Sequence, residues 1–141
     1  MVDVNADPAT ANLFKVSIDG HELGVFTACD GLGVEVVLEQ REEGGNNEFV
    51  HQLPVRMKYT NIKLTRPVDA QSKEVSRWLA QMEGTITRAS AEITALGVDS
   101  KPVTSWKLKG VIPVRWQGPS LAADSAKAAT ETLELAHHGF L

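Results

Sequence analysis

Between Leu32 and about Glu43 the chain changes character at almost every residue. Leu32, Val34, Val36 and Leu38 are apolar, whereas Glu35, Glu39, Arg41 and Glu43 are charged, with Val37 the exception. Successive side chains of an extended chain point to opposite faces, so this pattern demands a strand with one dry and one wet face. The even face is expected to pack into a core and the odd face to meet water. The same alternation over Leu13 to Asp19 puts Phe14, Val16 and Ile18 on one side. Asp19-Gly20 then reads as a turn, and Leu23 to Cys29 as the returning arm of a hairpin.

Lys58 to Val68 alternates as well and is expected to pair antiparallel with 32–43, with Pro67 ending it. Between these two strands Gly44, Gly45, Asn46 and Asn47 tolerate positive φ, and the chain as far as Pro54 shows no regular period. That segment reads as a loop of about ten residues. Asp69 to Glu83 is the one amphipathic helix: Val75, Trp78, Leu79 and Met82 fall at i, i+3, i+4 and i+7, Asp69 suits the N-cap, and Gly84 suits C′. The stripe Val75, Trp78, Leu79, Met82 is read as core packing. Thr85 to Leu96, Val103 to Lys109 and Val111 to Trp116 read as strands, punctuated by Gly97 to Pro102 and by Gly110. In the Ala-rich tail, helix propensity competes with the alternation of Leu133 and Leu135; the expectation is a short helical turn near Leu121 to Ser125 and a strand from about Ala128 to His138.

The chain of 141 residues is 43% apolar, which suits one continuous core: a flexible leader over 1–12 and a single domain over 13–141. Eighteen acidic against 14 basic side chains give a net charge of −4, arguing against a protein that works by neutralising phosphates. No apolar run approaches the 18 or so residues that span a bilayer, and the N-terminus carries Asp3 and Asp7 where a signal peptide would be basic. No membrane anchor and no signal peptide are expected. Cys29 is the single cysteine, so no disulfide within the chain is possible, and the cytoplasm is the expected compartment.

Chemistry-bearing patterns are sparse. His21, His51, His137 and His138 fall in no metal spacing, and adjacent histidines on a strand point to opposite faces. No Gly-rich phosphate loop or nucleophile elbow occurs. Glu42 and Glu43 read as a solvated strand end, and Cys29 as small-residue packing. No catalytic residue, cofactor site or metal site is assigned. The chain is mainly β with one helix, and such a protein must deal with its strand edges, either by covering them or by pairing them with copies of itself.

Several segments, in order, resemble the tail tube family, which comprises contractile phage tail tubes and the inner tubes of extracellular contractile injection systems. They are Phe14-Lys15-Val16-Ser17-Ile18-Asp19-Gly20, Gly24-Val25-Phe26, Gly31-Leu32-Gly33-Val34-Glu35 and Arg41-Glu42-Glu43-Gly44-Gly45-Asn46-Asn47. Further along come Leu53-Pro54, Tyr59 to Arg66, Trp78, Trp106-Lys107-Leu108, Pro113-Val114-Arg115-Trp116 with Gly118-Pro119, and Glu131 to Gly139. The resemblance implies two packed antiparallel sheets, a β-sandwich or barrel, with one helix. It also implies a structural protein without a cofactor, whose hexameric rings stack into a hollow tube inside a contractile sheath. Baseplate or spike and tube-cap proteins would be its partners, and an effector protein or phage DNA would pass along the lumen without specific binding. Assembly would take place in the bacterial cytoplasm. A baseplate or cap protein of the same fold is a variant of this reading, and a small soluble β-barrel enzyme or ligand-binding domain is the alternative to it.

Three expectations follow from the tube reading. About four strands from each of six subunits would close a barrel roughly 40 Å across, with a water-filled channel. Glu35, Glu39, Arg41 and Glu43, with Asn61 and Lys63 from the partner strand, would line that lumen with more acid than base, unless the same face looks outward to the sheath. The loop of Gly44, Gly45, Asn46, Asn47 and Glu48 would reach the adjacent ring.

Overall fold

The computed structural model describes residues 10–41, 51–120, 123 and 129–141. Among these described residues nine strands and one helix run in the order β1 (Leu13–Ile18), β2 (His21–Phe26), β3 (Ala28–Asp30), β4 (Val34–Arg41), β5 (His51–Tyr59), β6 (Ile62–Pro67), α1 (Ser72–Gln81), β7 (Ala89–Leu96), β8 (Pro102–Gln117) and β9 (Thr130–Ala136). Seven strands form one antiparallel sheet, β2-β1-β7-β8-β9-β6-β3, while β4 and β5 form a separate two-stranded ribbon.

The pivot of the large sheet is β8. Its first part pairs with β7 as far as Val111, and its second part, Ile112 to Gln117, pairs with β9. Two strands were expected here, split at Gly110; the chain instead runs through as one, with Gly110 at φ +63° and a Cβ there meeting the His138 ring at 2.8 Å. Glycine permits the bend without ending the strand. The two halves of the sheet turn their apolar faces on one another. Val16, Ile18, Leu23, Phe26 and Ile93 from one half meet Ile62, Leu64, Leu133 and Leu135 from the other in a single core. The expected sandwich is therefore one sheet folded on itself about β8.

The first hairpin is as the alternation requires. Phe14 faces Phe26 and Ile18 faces His21, with Val16 and Ile18 buried. The helix also lies where its stripe demands: Val75 and Trp78 are buried and Leu79 and Met82 half-buried against the core. Its caps differ from expectation. The helix begins at Ser72 with Gln71 at the N-cap, two residues after Asp69, which is engaged just ahead of it: Asp69 Oδ1 accepts the Gln71 N–H at 2.8 Å, and the Asp69 N–H donates to Ser72 Oγ at 3.1 Å. At the other end the cap is Met82, so Gly84 lies one residue beyond C′.

The strand 32–43 departs most from its reading. It was expected to pair with 58–68, but β4 pairs with β5, so that Glu35 faces Lys58, Val36 faces Met57 and Arg41 faces His51. The segment 51–54, read as the end of the loop, is strand, and β5 runs on from there to Tyr59. Pro54 lies at a register shift opposite Leu38, where a missing N–H costs least. Nor is the even face core: Val34, Val36, Leu38, Val55 and Met57 each keep between 46% and 58% of their surface exposed. In the tail, strand β9 replaces helix propensity as its leucine alternation foretold; the turn expected near Leu121 to Ser125 lies outside the described residues apart from Ala123.

Candidate assembly surfaces

The ribbon leaves the body at a kink. Gly31 takes φ +98°, and a Cβ there would collide with the Asn61 carbonyl, so only glycine lets the two arms cross so closely. Thr60 Oγ1 donates to Gly31 O at 3.0 Å and fixes the joint. Tyr59, last residue of β5, stacks against the C-terminal segment, with its ring 5.4 Å from His137 and 6.0 Å from Phe140. β9 ends at Ala136, two residues short of the expected His138; just beyond it His137 is buried and its Nδ1 accepts the Gly139 N–H, whereas His138, in the bend that follows, is exposed.

Beyond that base both ribbon faces are open. One carries Val34, Val36, Leu38 and Met57. The other carries Glu35 and Glu39 with Arg41, Arg56 and Lys58, two carboxylates against three cations. The expected excess of acid on this face does not hold among the described residues, because the true partner strand contributes Arg56 and Lys58. The sequence reading missed both, although Leu53, Val55, Met57 and Tyr59 alternate cleanly; Pro54 hid the signal.

Asn61 and Lys63 do not accompany Glu35 and Glu39. Asn61 sits in the link between β5 and β6. Lys63 lies in β6, flanked by Asp30 and Glu134, with its Nζ 3.8 Å from Glu134 Oε1. The row continues onto β8, where Arg115 faces Glu134, so Asp30, Lys63, Glu134 and Arg115 cross four strands with alternating sign. Glu43 and the loop Gly44, Gly45, Asn46, Asn47, Glu48 lie outside the described residues.

The opposite end of the large sheet is closed by a buried ion pair that the sequence reading did not single out. Arg66, 1% exposed, donates from Nε to Glu131 Oε1 at 2.6 Å, and Glu131 is 2% exposed. Arg66 Nη1 donates to Leu23 O at 2.8 Å, Nη2 donates to Gln71 O at 3.0 Å, and the guanidinium lies 4.3 Å from the Phe26 ring centroid. Gln71 Oε1 accepts the Val25 N–H at 3.3 Å. Two side chains thus take up the outward carbonyl of Leu23 and the outward N–H of Val25 on edge strand β2. A planar fork with five donors is what such a position needs.

Burial, with Asp30 beside it adding a smaller push, raises the Cys29 thiol to about 11, which leaves it protonated and inert at neutral pH. Among the described residues no three His, Cys, Asp or Glu side chains come together to hold a metal ion, and no helix is long and apolar enough to cross a membrane.

The sequence profile described as T4-like virus tail tube protein gp19 matches residues 10–141. The chain belongs to this family. It is a structural tube subunit, mainly β, with the expected helix. Among solved structures it is similar to a chain of the anti-feeding prophage (AFP) baseplate, 26% identical, with a TM-score of 0.75 over 96% of this chain and 95% of that one. A chain of the sheath/tube terminator of the extracellular contractile injection system PVC shares the fold at 19% identity, with a TM-score of 0.80 and 98% of each chain covered. Hcp1 from Flavobacterium johnsoniae shares it more distantly, at 16% identity and a TM-score of 0.52, over 89% of each chain. No curated protein matches the chain in sequence.

Proposed function

We propose that this tube subunit forms rings of six which stack into a hollow conduit within a phage tail or phage-tail-like injection particle. It is a passive structural part, not an enzyme. A sheath surrounds it, and a baseplate or spike and a terminating cap bound it. The observation that carries this reading is the ribbon, whose apolar face is half exposed in the subunit and needs a protein surface to cover it. The named surroundings of its structural relatives, a six-fold symmetrised baseplate and a sheath–tube complex, support the same assembly. The charged face of β4, with Glu35, Glu39 and Arg41, and the outer face carrying Lys63 then look onto the water-filled channel, through which an effector protein or DNA passes without specific binding.

Sedimentation and negative-stain microscopy of the purified protein test this. Rings or tubes are expected; a stable monomer at every concentration would overturn it.

A further inference from the structure

Within the subunit β4 and β5 pair only with each other. Their stance on the body is set on one side by the joint of Gly31 with Thr60 and on the other by the stack of Tyr59 on the C-terminal segment. The His137 ring lies 5.4 Å from Tyr59 and 5.3 Å from Phe140, which are themselves 6.0 Å apart, so three rings close a triangle. Gly139 completes it. Its φ is +126°, and a Cβ there would meet the Tyr59 ring at 2.9 Å, so the turn that presents its N–H to His137 is also the surface on which Tyr59 rests. The Gly139 carbonyl accepts the Lys109 N–H at 2.9 Å and ties this turn to β8.

The bond to Gly139 fixes the imidazole tautomer. A backbone N–H can only donate, so Nδ1, 3.1 Å from the Gly139 nitrogen, is the bare nitrogen and Nε2 carries the proton. Nε2 is buried and has no hydrogen-bond partner. A second proton must therefore enter at Nδ1, where it faces the Gly139 N–H, donor against donor. The cation so formed is 6% exposed, with an amide N–H before one nitrogen and no acceptor before the other. The surrounding groups do not relieve it. From β5 the facing titratable group is the Tyr59 phenol, which donates to Met57 Sδ; the C-terminal segment offers uncharged Phe140; β8 meets the turn through Lys109 backbone atoms; and the His138 ring lies against Gly110. Ring faces attract a cation, but these rings are inclined to His137 at 48° and 66° and replace neither the lost bond nor the lost water. A buried charge without a partner forces its surroundings to open.

We infer that His137 is an acid-sensitive pin: proton uptake at Nδ1 breaks the bond to Gly139, loosens the turn under Tyr59 and frees the ribbon from its set position. The pin is whole while the imidazole is uncharged and is lost as pH falls through the range in which histidine takes up a proton, between about 8 and 5. His21 has the opposite sense, because its Nε2 lies 2.9 Å from Glu74 Oε2 and a proton there strengthens the contact between β2 and α1. Acid is then expected to weaken assembly, since the ribbon carries the apolar face that another copy covers. That last step alone rests on the tube reading.

Hydrogen exchange on the whole protein tests the pin without substitutions. Corrected for intrinsic rate, protection of the Gly139 amide is expected to fall about tenfold or more from about pH 7.5 to about pH 5, while that of Val68, bonded to Ala129 O, stays level. His137→Asn places an amide oxygen near the position of Nδ1 and does not titrate, so its Gly139 protection is expected to be the same at both pH values. Sedimentation gives the second reading: wild-type tubes are expected to shed subunits at the lower pH, and tubes of His137→Asn to change little. Gly139 protection that stays level in the wild type, or that falls equally in His137→Asn, would overturn the pin, and the wild-type result decides even where the variant does not fold. Tubes that stay whole while Gly139 is released overturn the step to assembly. A wild type that forms no rings at any pH overturns the tube reading, and exchange at Gly139 still decides the pin.

Discussion

Arg66 is the residue on which most of the fold's polar order converges, since it ties β6 to β9, β2 and the helix entry in one guanidinium. Removing one member of a buried pair strands the other without water, which typically costs about 3–5 kcal/mol. Glu131→Gln and Arg66→Met are each expected to lower stability by roughly that amount in urea unfolding. The double variant Arg66→Met with Glu131→Leu is expected to lose less than the sum of the two, because neither charge is left alone. Additive losses would show that the pair does not act as a unit. Cys29 makes a separate prediction at this scale. Burial raises its folded pKa to about 11, above the ordinary thiol value of 9.0, so the thiolate is disfavoured more in the folded state than in the unfolded one. That contribution to stability is complete below pH 9 and is lost as pH climbs towards 11, the sign for a raised pKa. Alkylation of native protein should therefore stay slow through pH 8 to 9, and a Cys29→Ser variant should show a shallower loss of stability across that alkaline range. Rapid labelling at pH 8 would contradict the burial.

Among the elements, α1 is bound to the sheet chiefly through Val75 and Trp78. Trp78→Ala removes a large buried ring, and calorimetry or urea unfolding is expected to show a loss of about 3–5 kcal/mol; an exposed-face substitution such as Ser76→Ala should change little. This helix was legible from four residues because an i, i+3, i+4, i+7 stripe has one interpretation in a short segment. Its first residue was not, because Asp69 makes its side-chain bond to the Gln71 N–H, while the helix itself begins only at Ser72. The first hairpin and β9 were legible for the same reason as the helix. The ribbon was half legible. Alternation in β4 identified two faces correctly, but period two says nothing about what covers a face, and a strand whose apolar side waits for another molecule looks the same in sequence as one that packs within its own chain. The buried pair was hidden for a related reason: Arg66 and Glu131 stand 65 residues apart, in strands whose adjacency only the fold reveals.

At the scale of the whole molecule, the question is which way the charged face of the ribbon looks in the assembled particle. Glu35 stands opposite Lys58, so reversing it alone sets like charges side by side and weakens the ribbon itself. Glu39 stands opposite Leu53 and is the cleaner probe. Glu39→Lys, together with the exchange Glu35→Lys and Lys58→Glu, preserves the cross-strand attraction while adding two positive charges per copy, from Glu39 alone. Repeated around a ring, that change gives the channel a reinforced field, since like charges at a common radius add. If the face is luminal, tubes of normal length that still acquire a sheath are expected, and the cargo that co-purifies should shift towards acidic molecules, an effect that weakens as added salt shortens the screening length. If naked tubes form normally but no longer take up a sheath, the charged face looks outward, and the apolar face of the ribbon must then be buried on the side nearer the channel.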